Sequence, residues 1–168
     1  MTVVRQGWDW KAAVDKARRD IVEQGFPTLG KPTTPLVELG AIEQVEGISS
    51  VQLSNMSIRH QAWYSYVTVE YAAAHAELRA LEEVLEVKLG EQMYTLGKVQ
   101  DGRVVKDVLR AVAISQSEEL RALVRRKVEL EQRDRLLEGL AKGLEIRCRA
   151  LESESIRRIS AQKVEVGR

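Results

Sequence analysis

From residue 51 to about 96, apolar positions return every three to four residues and no proline interrupts them. Two columns at heptad spacing carry the pattern. One is Leu53, His60, Val67, Ala74, Leu81 and Lys88; the other is Ser57, Tyr64, Tyr71, Leu78, Leu85 and Gln92. They are offset by four, so together they make one helical stripe. Met56 and Trp63 widen it, and Leu89, Met93 and Leu96 extend it. The polar members make an imperfect seam, suited to packing on several neighbours rather than to a simple zipper. A further column, Leu123, Leu130, Leu137, Leu144 and Leu151, predicts another long helix to about residue 161. The column three residues before it is Leu120, Lys127, Asp134, Ala141, Cys148 and Ser155. Lys127 and Asp134 oppose a parallel leucine zipper, which wants apolar residues there. The small residues of the second half instead allow another helix close.

The segment between the two helices is turn-rich. Residues 97–103 are bracketed by glycines and read as a polar loop. Residues 104–113 are a short helical candidate. Ser115 with Glu118 then reads as a capping box opening the second long helix. Long helix, polar loop, long helix predicts an antiparallel hairpin. Residues 9–24 carry a brief helical pattern, Trp10, Val14, Ala17 and Ile21, stopped by Gly25. Pro27, Gly30, Pro32 and Pro35 mark an extended linker. Residues 36–45 form one more short helical candidate. The expected fold is all-α: a long antiparallel helical hairpin with a short N-terminal helical arm, assembling into a helical oligomer. The arm and linker occupy 1–35, and the hairpin and oligomerisation domain 36–168.

Composition narrows the classes. Of 168 residues, 44% are hydrophobic and 30% charged, too apolar for a disordered chain. Only 5% are aromatic, which suits thin helical seams better than a thick core. Cys148 is the single cysteine, so no disulfide framework exists and a reducing, cytoplasmic compartment is expected. One Cys with His60 and His75 cannot build an ordinary structural zinc site. No apolar run is long enough to span a membrane, and the N-terminus lacks a signal-peptide core. No phosphate-binding glycine loop, nucleophile elbow or HExxH occurs, so neither catalysis, cofactor nor metal is expected.

The net charge of +1 hides segregation. Residues 51–100 hold four Lys/Arg and six Asp/Glu; residues 101–168 hold sixteen and twelve. Basic residues gather near the loop (Lys98, Arg103, Lys106, Arg110), at Arg121, Arg125, Arg126 and Lys127, and at Arg147, Arg149, Arg157 and Arg158. They read either as a solvated surface laced with helical ion pairs or as a surface that tracks phosphates. Trp63, Tyr64, Tyr66 and Tyr71, beside His60, read as core packing ahead of base stacking. Trp8 and Trp10 on the arm read as anchors onto the hairpin. Gly139 and Gly143, on one helical face, suggest a close helix crossing. Cys148, in a small-residue seam, reads as a buried, inert thiol.

The second helix resembles a known family. Leu136-Leu137-Glu138-Gly139-Leu140-Ala141-Lys142-Gly143-Leu144-Glu145-Ile146-Arg147-Cys148-Arg149, then Ile156-Arg157-Arg158-Ile159, is similar to the C-terminal part of the UvsY-like phage recombination mediators. Lys88-Leu89, Tyr94 and Gly97-Lys98 resemble that family's run into its hairpin loop, with Glu86 standing where members have another basic residue. The resemblance covers about residues 51–160.

It implies a non-enzymatic, all-helical, ring-like homo-oligomer, with seven subunits as the starting expectation. Such an assembly binds single-stranded DNA and helps load a RecA-like recombinase on strands covered by single-strand-binding protein, in the host cytoplasm if phage-encoded. Lys88, Lys98 and Arg103, with Lys106 and Arg110 beside them, would meet phosphates; Arg121, Arg125, Arg126 and Lys127 are secondary candidates. Leu137, Leu140, Gly143, Leu144 and Leu151 would pack the oligomer. A helical scaffold or holdase without nucleic-acid binding is the alternative.

Overall fold

In the computed structural model, residues 12, 15, 16, 19, 23, 30–36, 45, 47–99 and 105–166 are described, the side chains of 98, 99 and 164–166 excepted. Three helices account for most of them: α1, Ser50–Val99; α2, Lys106–Gln116; and α3, Glu118–Val166. No strand occurs among the described residues. Ala12, Asp15, Lys16, Arg19 and Glu23 of the expected arm helix are helical and exposed. The rest of 9–24, and 37–44 of the other short candidate, lie outside the described residues.

The chain divides into two compact units, and both long helices contribute to each. The first unit contains residues 73–134. There Leu78, Leu81 and Leu130 form one cluster with Val84 and Leu123 against it. Leu85, Leu89, Ala113 and Leu120 form another, joined by Met93, Leu96 and Ile114. The second unit contains 28–72 and 135–168. There Trp63, Val67 and Leu144 pack with Leu36, Tyr66, Leu137 and Ala141. Val45, Leu53 and Leu151 pack with Ile48 and Met56. In both units rising positions on α1 meet falling positions on α3, so the pairing is antiparallel within each.

The core is drawn mainly from the heptad columns. Leu53, His60, Val67, Ala74 and Leu81 are all buried, as are Leu130, Leu144 and Leu151. The polar members find partners. Asp134 meets His75 at 3.3 Å. Lys127 reaches Glu82 at 3.1 Å and Glu131 at 3.5 Å. The bond from Glu82 outweighs the cost of burial and raises the Lys127 ammonium above its usual value, so it stays charged in the seam. His60 Nδ1 lies 2.9 Å from the Met56 carbonyl and must be the donating nitrogen there. Its buried Nε2 has no partner among the described residues.

The helix boundaries differ from the expected ones. α1 continues through Val99 and takes the first three residues of the expected loop. The N-cap of α3 is Ser117, not Ser115. Ser117 Oγ accepts from the Leu120 amide at 3.2 Å, whereas Ser115 Oγ donates back to the Val112 carbonyl at 2.8 Å. Leu120 is a core residue, and a helix opening at Ser117 fixes its amide one turn in. Glu118 pairs with Arg121 and Arg125 instead of closing a box. The reciprocal box lies at the start of α1. The Ser49 amide donates to Gln52 Oε1 at 2.8 Å, and the Gln52 amide donates to Ser49 Oγ at 3.3 Å. Ser117→Ala should therefore cost about 0.5–2 kcal/mol, and Ser115→Ala much less. Urea midpoints of the two variants check this, and equal losses would contradict the assignment.

Candidate functional site

The basic residues expected to meet phosphates surround the α1, α2 and α3 segments of the first unit. Lys88 is half-buried at the end of its heptad column and pairs with Glu119. Arg110, on α2, reaches Glu86 on α1 at 3.0 Å. Arg125 reaches Glu118 at 2.9 Å, and Arg121 shares the same carboxylate group. Arg126 pairs with Glu129 at 2.9 Å, while its buried Nε has no partner among the described residues. Lys127 is held in the seam by Glu82. Lys106 is exposed, with no carboxylate partner among the described residues. The Lys98 side chain and Arg103 lie outside the described residues.

Lys106 and Arg110 share an open cleft of about 400 Å³ with Glu86, Leu89, Gly90, Met93 and Asp107. Its lining combines the apolar Leu89 and Met93 with charges of both signs. Glu86, which stands where the family resemblance expected a cation, is the partner of Arg110 and lowers the local positive potential. The aromatic group is core: Trp63 is buried, and its ring meets Tyr66 edge-on with centroids 5.8 Å apart. No base can stack on it there.

The expected oligomer contacts fall into two sets. Leu144 and Leu151 are buried inside their own chain, and Leu137 packs on the Trp63 cluster. Leu140 and Gly143 face outward, with Leu136 75% and Ile146 69% exposed on the same side of α3. A Cβ added at Gly139 or Gly143 would meet nothing within 4 Å. The close crossing suggested by these glycines is therefore not made within the chain. Cys148 is half-buried, and burial pushes its thiol up, which keeps it protonated.

No cluster of three or more potential metal ligands occurs among the described residues, and none of their helices is long and apolar enough to cross a membrane. No family model matches the chain, and no significant match occurs among curated proteins or solved structures.

Proposed function

We propose that this chain is a non-enzymatic recombination mediator. It forms a homo-oligomer, binds single-stranded DNA and promotes loading of a RecA-like recombinase on strands covered by single-strand-binding protein. The resemblance along α3 supplies the family. The observation that carries DNA binding is the way the cations are held. Lys88, Arg110, Arg121 and Arg125 are restrained by single carboxylates at the protein surface. Such pairs contribute about 0–1 kcal/mol. A strand that releases counterions at each phosphate can displace them. Repetition around an oligomer turns weak contacts into firm capture. The outward apolar side of α3, at Leu136, Leu140 and Ile146, supports the oligomer.

The neutralising carboxylates favour a second function, a helical scaffold or holdase that binds proteins and not DNA. Fluorescence anisotropy of a labelled oligonucleotide separates the two. The pair Lys88→Ala and Lys98→Ala should weaken binding with the oligomer mass unchanged. The plot of log affinity against log salt should flatten by about 1.4, at about 0.7 per lost single-strand phosphate contact. An unchanged slope would remove both residues from the interface, and absence of binding at low salt would favour the scaffold.

A further inference from the structure

The outer side of α1 in the second unit carries a stripe of its own. Val51, Asn55, Ile58, Ala62, Ser65, Val69 and Ala72 recur at steps of four and three. They lie away from the buried column of Leu53, His60 and Val67. Val51 is 71%, Ile58 60% and Val69 50% exposed. From 51 to 69 the chain has no carboxylate and one cation, Arg59. A solvated helix face normally alternates charges; this one is a trough poor in charge, with Ala62 and Ser65 at its middle and Arg59 and Glu70 its only charged residues between 51 and 72.

We infer that this trough is an interface, and that its occupant is the outer face of α3 from a second copy of the chain. The inference rests on the homo-oligomer proposed above and specifies which surfaces meet. Three observations select the occupant. Size is complementary: α3 offers Leu136, Leu140 and Ile146 as projecting side chains, and α1 offers Ala62, Ser65 and Ala72 as the hollows for them. Charge excludes the symmetric choice. Arg135 and Arg147 flank the α3 face with no carboxylate partner among the described residues, and two such faces together would set cations against cations. Against α1 they meet mainly Gln52, Asn55, Gln61 and Thr68, which offer acceptors, with Arg59 the one cation on that side. Glycine is the third. Gly139 and Gly143 leave open space on α3, so the partner helix can approach closely.

The contact is heterologous. Each copy uses its α1 face toward one neighbour and its α3 face toward the other, which closes into a ring when the rotation permits. Asn55, the one amide side chain of the stripe, fixes the register, as a buried Asn does in coiled coils.

Complementation by two broken faces tests it. Ala62→Glu spoils only the α1 face, and Leu140→Glu spoils only the α3 face. Size-exclusion chromatography with light scattering should find the native chain above 19.0 kDa. Each variant alone should run as a monomer with native helicity by circular dichroism. An equimolar mixture should form a species of twice the chain mass, because one good α1 face meets one good α3 face. Ile58→Lys and Ile146→Lys repeat the test should either first variant fold poorly. If the α1 variant remains fully assembled, or the mixed variants stay monomeric, the α1–α3 contact is overturned while the homo-oligomer stands. A native chain at single-chain mass overturns both.

Discussion

Trp63→Ala should be among the most damaging single substitutions in this protein, costing about 3–5 kcal/mol. Three kinds of interaction meet at this side chain. The ring is 6% exposed and fills the cluster made by Val67, Leu144, Leu137 and Ala141. Its edge-on contact with Tyr66 adds an aromatic pair, generally about 0.5–1.5 kcal/mol beyond burial. Its Nε1 donates to the Thr34 carbonyl at 2.7 Å, which ties the proline-bearing linker to α1. Trp63→Phe separates these effects, because it keeps most of the ring but leaves the carbonyl without its donor. We expect Phe to cost about 1 kcal/mol. Urea unfolding of both variants measures the difference. A loss below about 1 kcal/mol for Ala would mean that the linker and α3 do not depend on this anchor.

Arg158 is the second anchor. Its guanidinium donates from Nη1 to the Ile48 carbonyl and from Nη2 to the Val45 carbonyl, both at 2.7 Å, and from Nε to Glu154 at 2.7 Å. The planar fork serves all three acceptors at once, which a lysine cannot do. Arg158→Ala should cost about 1.5–3 kcal/mol, the range for hydrogen bonds to a charged group. Arg158→Lys should recover only part of it.

The same cluster gives a pH dependence. Hydrogen bonds from Arg157, then from Arg158, hold the Glu154 carboxyl down at about 2, against an ordinary value of 4.5. A carboxyl with a lowered folded-state pKa stabilises fully above its unfolded value. That stabilisation is lost as pH falls from about 4.5 through about 2. Glu154→Gln should remove this part of the acid dependence while sparing stability near neutrality more than Arg158→Ala does. Midpoints measured from pH 7 to 2 would show it, and parallel curves for native and Gln chains would contradict it.

Much of the architecture is legible in the heptad columns. Leu53, Val67, Ala74 and Leu81 on α1, and Leu130, Leu144 and Leu151 on α3, announce their burial by spacing alone. Lys127 and Asp134 are visible as intruders, and Glu131 one turn from Lys127 is visible too, but the partners across the seam are not. Glu82 and His75 lie far off in sequence, and periodicity carries no information about which charge crosses the seam. The Arg158 anchor is equally silent, because its acceptors are backbone carbonyls and every residue has one. Ser115 and Ser117 stand two residues apart with similar capping credentials, and the geometry of Leu120 decides between them. The basic candidates are easy to find in the sequence. The pairing of Glu118 with Arg121 and Arg125 lies within α3 and is visible as helical spacing, whereas neutralisation by Glu86 and Glu119 appears only when α1 is brought against α2 and α3.

Those carboxylates make DNA binding the central question. Fluorescence anisotropy of a labelled single-stranded oligonucleotide, titrated with the native assembled chain across a salt series, asks it most directly. Saturable binding at low salt that weakens steeply as salt rises is the expected result. An anisotropy that stays at its free value at low salt, with the assembly intact, would contradict it.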